Sequence, residues 1–205
     1  MANQMKQNNL GDLHEFGVDV KNRVIYLGQE DGGDATIEYR SCPKFVRNLD
    51  YLNSANNKPI LVKMISCEGG LWDHCLSICS AIKNSPSEVN IICTGFTASS
   101  GTIILQMAHK RYVCNLSGFM VHCGSLSYDG HSISAESAAD SNKLEYRKML
   151  DIYAKRCASG QFFKERKYSL SRIKTYIDTK IKVKGDWYMK DAEEVIFYGF
   201  ADEII

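Results

Sequence analysis

A repeated junction narrows the fold of this chain more than any other feature: short apolar runs lead into stretches with helical spacing. "ILVKMIS" (Ile60–Ser66) leads through Gly69 and Gly70 into "LWDHCLSICSAIKN", and "VNIICTGF" (Val89–Phe96) passes directly into "ASSGTIILQMAHK". Continuous apolar runs of this length suit buried strands. Strands alternating with helices of ~10–15 residues argue for βαβ units and a mostly parallel sheet with helices packed on it. "RVIYLG" (Arg23–Gly28), "RYVC" and "FMVHC" add short strands, and "YRSCPKFVRNLDYLN" adds a helix. The expected class is therefore α/β. No linker or repeat divides the 205 residues, and 44% of them are hydrophobic, so a single domain over residues 1–205 has enough apolar material for its own core.

The second half is more helical. "SAESAADSNKLEYRKMLDIYAKRC" (Ser134–Cys157) contains no Gly or Pro, and Ser134 and Ser137 are candidate caps. It is longer than an ordinary surface helix, so it is expected to project and pack against something else. The following segment, Lys164–Lys184, sets eight basic residues against Glu165 and Asp178. Its only aromatic residues are Tyr168 and Tyr176, so a solvated face explains it better than a nucleic-acid surface. A formal net charge of +1 offers no global field toward nucleic acid or membrane. No stretch nears the ~20 apolar residues of a membrane span. The start, "MANQMKQNNLGDLHEF", lacks the apolar core of a signal peptide, so a cytoplasmic location is expected.

Eight cysteines in such a chain read as reduced thiols rather than a disulfide framework. His74, Cys75 and Cys79 raise the question of zinc. Cys75 and Cys79 are spaced i, i+4 but no CxxC pair accompanies them, and "LWDHCLSICSAI" reads as a buried helix stripe. Small core cysteines are the expectation, with no metal.

"GFTASSGTIIL" (Gly95–Leu105) sets two serines at a strand-to-helix junction. Taken alone, a helix cap explains them, because a serine hydroxyl satisfies an orphan N–H of the first turn. Gly69-Gly70 sits at the preceding strand-to-helix junction, where glycine allows unusual backbone and a free N–H. If the two strands are parallel neighbours, both junctions share one sheet edge, where open α/β sheets bind ligands. A hydroxyl beside two backbone donors is the start of an acyl-transfer site, which also needs a base. His122, at the end of "GFMVHCG", is one candidate, although a lone strand histidine is more often structural. A carboxylate to orient it is available in Asp186 or in Asp178. Around Asp178, however, Ile173, Tyr176, Ile177 and Ile181 carry the stripe of an amphipathic helix, on which Lys174 and Lys182 flank it at i−4 and i+4 as surface ion-pair partners.

Together these segments resemble the family of Clp protease proteolytic subunits. The resemblance runs from Arg23 to Ile205 through Cys67–Gly70, "GFTASSGTIIL", "FMVHCG" and the closing "GDWYMKDAEEVIFYGFADEI", with ungapped spacing between Gly70 and Ser99. It implies the ClpP/crotonase-like fold, with Ser99 as nucleophile, His122 as general base and Asp186 as third triad member. The N–H groups of Gly70 and Ser100 would form the oxyanion hole. It implies no cofactor, and a homo-oligomer of two stacked heptameric rings, a tetradecamer. An AAA+ unfoldase ATPase would feed it unfolded protein or peptide substrates. The first 20 residues would form an N-terminal segment, and residues 134–158 the handle helix that joins rings.

The chain departs from the family pattern in several places. Cys67-Glu68 stands where the family has Ser-Pro, Ser100 where it has Met, and Cys123 where it commonly has Gln. The basic stretch before Asp186 is longer, and one further residue falls between Met189 and Glu193. Two rival readings are a crotonase-type acyl-CoA enzyme, which needs no Ser99–His122 pair, and a catalytically silent ring subunit.

Overall fold

The structure is a computed structural model describing residues 10–29, 33, 35–125 and 129–205, without the side chains of 10–12. Residues 1–9 of the expected N-terminal segment lie outside the described residues. Along the chain come α1 (Leu10–Phe16), β1 (Val18–Asp19), β2 (Val24–Leu27), α2 (Ser41–Ala55), β3 (Ile60–Met64), α3 (Trp72–Lys83), β4 (Val89–Cys93), β5 (Thr97–Ala98) and α4 (Ser100–Leu105). Then follow β6 (Arg111–Val113), β7 (Phe119–His122), α5 (Ser132–Cys157), α6 (Gln161–Glu165), α7 (Leu170–Lys184), β8 (Asp186–Tyr188), α8 (Ala192–Phe197) and β9 (Glu203–Ile204).

The expected mostly parallel sheet is present: a six-stranded sheet in the order β1-β2-β3-β4-β6-β9, parallel except for the β1–β2 pair. The runs that read as continuously apolar alternate in burial. Ile60, Val62 and Met64 are buried while Leu61 and Lys63 are half-buried, and β4 repeats the pattern. Helices α2 and α3 pack against each other, and their own stripes (Phe45, Leu49 and Leu52; Cys75, Ile78 and Ile82) are buried at helical spacing. The Cys75 and Cys79 sulfurs lie 3.9 Å apart on the buried face of α3, in keeping with core thiols. Burial pushes the Cys93 thiol up to about 12, so it packs as a neutral group.

Two expectations near the serines are corrected. The chain does not pass from β4 straight into a helix: it crosses Thr94–Phe96 and forms β5, which joins β7 and β8 in a separate three-stranded sheet. Helix α4 also ends at Leu105 rather than near Lys110. Its last turn tightens through i→i−3 bonds from the N–H groups of Gln106, Met107 and Ala108, and Gln106 Nε2 turns inward to the Phe200 carbonyl. Burial of all six α4 residues, rather than length, holds this helix in place.

Helix α5 begins two residues before the expected start. His131 is its N-cap, so neither Ser134 nor Ser137 caps it. Its C-terminal half is buried through Met149, Leu150, Tyr153, Ala154 and Cys157, while Ile133 is 83% exposed, so the N-terminal half projects. Helix α7 packs along α5 through buried Ile173, Ile177 and Ile181. Its N-cap Ser169 accepts from the Arg172 N–H, and Gly185 (φ 74°) ends it. The aromatic side chains of this region turn inward: Phe162, Tyr168, Tyr176, Trp187 and Tyr198 form one cluster. The basic groups lie over it, with Arg166 3.9 Å above Phe162 and Arg172 4.2 Å above Tyr168, consistent with a solvated face.

Candidate active site

Ser99 occupies the single residue between β5 and α4, with φ 51° and ψ −131°. A non-glycine residue there carries strain of about 1–3 kcal/mol and persists only when its surroundings hold it. Here they do. The Ala98 N–H donates to the Cys67 carbonyl (2.9 Å) and the Ser99 N–H to the Met120 carbonyl (3.2 Å). Thr102 Oγ1 donates to the Ser99 carbonyl at 2.6 Å, and the Tyr153 hydroxyl of α5, fully buried, bonds to Thr102 Oγ1 at 2.6 Å. Sequence reasoning missed this Thr102–Tyr153 brace.

The hydroxyl of Ser99 stands at the N-cap position yet makes no capping bond. Its Oγ lies 2.7 Å from His122 Nε2 instead. His122 ends β7 and is registered against Asp186, the first residue of β8, across an antiparallel pair. Asp186 Oδ1 is 3.3 Å from His122 Nδ1, long for a closed hydrogen bond. A proton on Nδ1 facing this carboxylate leaves the Nε2 lone pair for the serine O–H.

Asp178, the other candidate carboxylate, is committed elsewhere. Its Oδ1 accepts from the Tyr146 hydroxyl (2.7 Å) and its Oδ2 from Lys182 Nζ (2.8 Å). Burial opposes ionisation of this carboxyl, but the bonds from Lys182 and Tyr146 prevail and hold it below the usual carboxylate range. Lys174, placed by helical spacing beside Asp178, reaches Asp151 of α5 at 2.5 Å instead.

Gly69 and Gly70 adopt φ values of 104° and 146°. A Cβ on Gly70 would lie 2.1 Å from the Ile37 carbonyl oxygen, and one on Gly69 would lie 2.7 Å from Ser99 Cβ. Only glycine lets this segment pass so close to the serine. Ile37 bridges the segment, donating to the Gly69 carbonyl and accepting from the Leu71 N–H. Among the described residues no acceptor takes the N–H of Gly70 or of Ser100. The Ser100 hydroxyl donates to the Gly70 carbonyl at 3.3 Å, tying the two donors to one another.

These groups open onto a cleft of about 400 Å³ whose far wall is α5, through Asn142, Glu145, Tyr146 and Met149. The i, i+3, i+4, i+7 spacing of those four was legible as one helix face, but not that the face meets Ser99. The structure thus brings together Ser99, His122, Asp186, Gly70 and Ser100, and leaves Asp178 on α7. The arrangement is one that acyl transfer could use: a hydroxyl against an imidazole, a carboxylate facing that imidazole, and two free backbone donors. Among the described residues no group of three or more His, Cys, Asp or Glu could hold a metal ion, and no helix is long and apolar enough to cross a membrane.

Residues 18–205 match the family model described as Clp protease. A Deinococcus radiodurans protein named ATP-dependent Clp protease proteolytic subunit is 26% identical over 188 residues, covering 91% of this chain and 81% of that protein. A protein of the same name from Carsonella ruddii is 31% identical over 135 residues, 65% of this chain and 62% of that one.

Proposed function

This chain belongs to the Clp protease family, and on that premise we propose that it is a serine endopeptidase in which Ser99, His122 and Asp186 act as a triad. The observation that carries the reading is the 2.7 Å contact between Ser99 Oγ and His122 Nε2. His122 takes the hydroxyl proton as Oγ attacks the scissile carbonyl carbon. The carbonyl π-electrons move onto oxygen, and the N–H groups of Gly70 and Ser100 receive that oxyanion. Collapse breaks the C–N bond, His122 returns the proton to the leaving amine, and an acyl-Ser99 ester remains. Water, deprotonated by His122, then attacks the ester carbon; the acyl C–Oγ bond breaks, His122 returns that proton to Ser99 Oγ, and the acid product leaves. Asp186 holds the imidazole tautomer and stabilises the imidazolium throughout. This route needs no metal or organic cofactor.

The substrates we propose are unfolded proteins or peptides, cut inside a homo-oligomeric chamber of two stacked heptameric rings fed by an AAA+ ATPase. Family membership supports this, and so does the projecting half of α5, which leaves Ile133 and Leu144 exposed where a second ring would cover them. The direct test is labelling with a serine-directed fluorophosphonate. Stoichiometric modification at Ser99, lost in Ser99→Ala, is the expected result. A chain that never labels at Ser99 would be a silent ring subunit, or an enzyme of the crotonase type.

A further inference from the structure

The cleft beside Ser99 is lined by both apolar and acidic side chains. Ile103 of α4 and Met149 of α5, 2% and 5% exposed, supply apolar lining. Toward the N-terminus of α5, Asn142 and Glu145 line the same cleft. Glu145 is half-buried, and among the described residues it forms no ion pair. Asp73, in the first turn of α3, adds a second negative charge near it. Burial first, then Asp73, pushes the Glu145 carboxyl above its ordinary value, outweighing Lys148 and the Ser141 hydroxyl. A partly desolvated carboxylate beside a second negative charge is costly, and an arriving cation relieves that cost.

We propose, building on the peptidase reading above, that this cleft selects peptides with Lys or Arg on the acyl side of the scissile bond, with Glu145 receiving the cation. The geometry suits such side chains. Four residues of helix separate Glu145 from Met149, about 6 Å along the axis at 1.5 Å per residue. A basic side chain lays its methylene stem on apolar surface and carries its charge to the end, which matches Ile103 and Met149 followed by Glu145. Asn142, one turn further on, supplies an amide oxygen as a second acceptor.

The test uses the assembled protein and fluorogenic peptides identical except for Arg, citrulline, Lys or norleucine before the reporter group. Citrulline keeps the shape of arginine without its charge. The wild-type protein is expected to favour Arg over citrulline, and Lys over norleucine, by about tenfold or more in kcat/KM, the scale of one charge-assisted bond. Glu145→Gln should collapse both ratios toward one, and Glu145→Asp should restore part of them. Fluorophosphonate titration of Ser99 counts the competent sites in every preparation, so a poorly folded variant is not mistaken for altered specificity. A wild-type protein that labels at Ser99 but cleaves citrulline and norleucine as well as Arg and Lys overturns the selectivity and leaves the peptidase reading standing. Failure of the wild type to label at all overturns both.

Discussion

His122 and Asp186 face each other as a registered pair across the antiparallel β7–β8 ladder, with Nδ1 3.3 Å from Oδ1. Register therefore delivers the carboxylate to the imidazole: β8 begins at Asp186 because Gly185, with its positive φ, ends α7 one residue earlier. In the proposed mechanism, Asp186→Asn should lower kcat on the order of 10⁴-fold, the scale seen in well-studied triads, with assembly unchanged. Asp178→Asn should remain close to wild type in kcat, since that carboxylate serves Tyr146 and Lys182. Steady-state peptide hydrolysis by the two variants checks this. A strong loss in Asp178→Asn and none in Asp186→Asn would exchange their roles.

The two adjacent serines should separate sharply. Ser99→Ala removes the proposed nucleophile and should cost on the order of 10⁶ in kcat. Ser100→Ala keeps its backbone N–H and loses only the 3.3 Å bond to the Gly70 carbonyl, so most of the activity should survive. Equal losses in the two variants would contradict the assignment of Ser99.

Gly69→Ala tests the close approach behind the serine. Its Cβ would meet Ser99 Cβ at 2.7 Å and the Ser100 nitrogen at 3.0 Å, at a φ of 104°. Overpacking of this kind costs about 1–3 kcal/mol. A shift of about 1 Å in a reacting group costs on the order of 10² in rate, so activity should fall by at least that factor. Thermal unfolding and single-turnover acylation, measured together, separate the two effects.

Acid sensitivity should centre on Arg111 and Asp202. The Arg111 guanidinium, 1% exposed, bonds to Asp202, to Gln106 Oε1 (2.7 Å) and to the Gly199 carbonyl (2.9 Å). Burial alone would raise the Asp202 carboxyl, but the bonds and charge of Arg111 outweigh it and hold the carboxyl below its ordinary value. Because the native value lies below the unfolded one, this stabilisation is present above about pH 4 and disappears as pH falls through the native value. Asp202→Asn should cost about 3 kcal/mol, the low end for a broken buried pair because the Asp202 side chain is 38% exposed. It should also flatten the stability profile below about pH 4, as followed by denaturant titration across pH.

Assembly provides an independent check. Native mass spectrometry should find complexes of seven or fourteen copies of the 23.1 kDa chain. Charged substitutions at Ile133 and Leu144, both exposed on the projecting half of α5, should bias the distribution from fourteen toward seven. Monomer alone at every salt concentration would count against the chamber.

The α/β class, the parallel strands, the long α5 and the buried stripe of α7 were legible in the sequence, because each rests on local periodicity and on the spacing of apolar residues. The glycine pair was legible for a similar reason: glycine at a strand-to-helix junction announces backbone that other residues avoid. Lys174 was not. Helical spacing offered it Asp178, but the packing of α7 on α5 brings Asp151 closer, and an ion pair forms with whichever carboxylate the tertiary fold presents. The end of α4 was also hidden, because Gln106 leaves the helix to bond a carbonyl nearly a hundred residues away.

The same division runs through the site. The sequence by itself determined which residue types were available: a serine at a junction, a histidine closing a strand, two aspartates downstream and a helix face carrying Glu145. Tertiary structure decided which of them meet. The β7–β8 register chose Asp186, the strained backbone at Ser99 turned its hydroxyl from capping toward His122, and the approach of α5 made Glu145 a wall of the cleft. Periodicity is set by neighbours along the chain, whereas a contact between distant residues depends on how whole elements pack, and no local pattern contains that information.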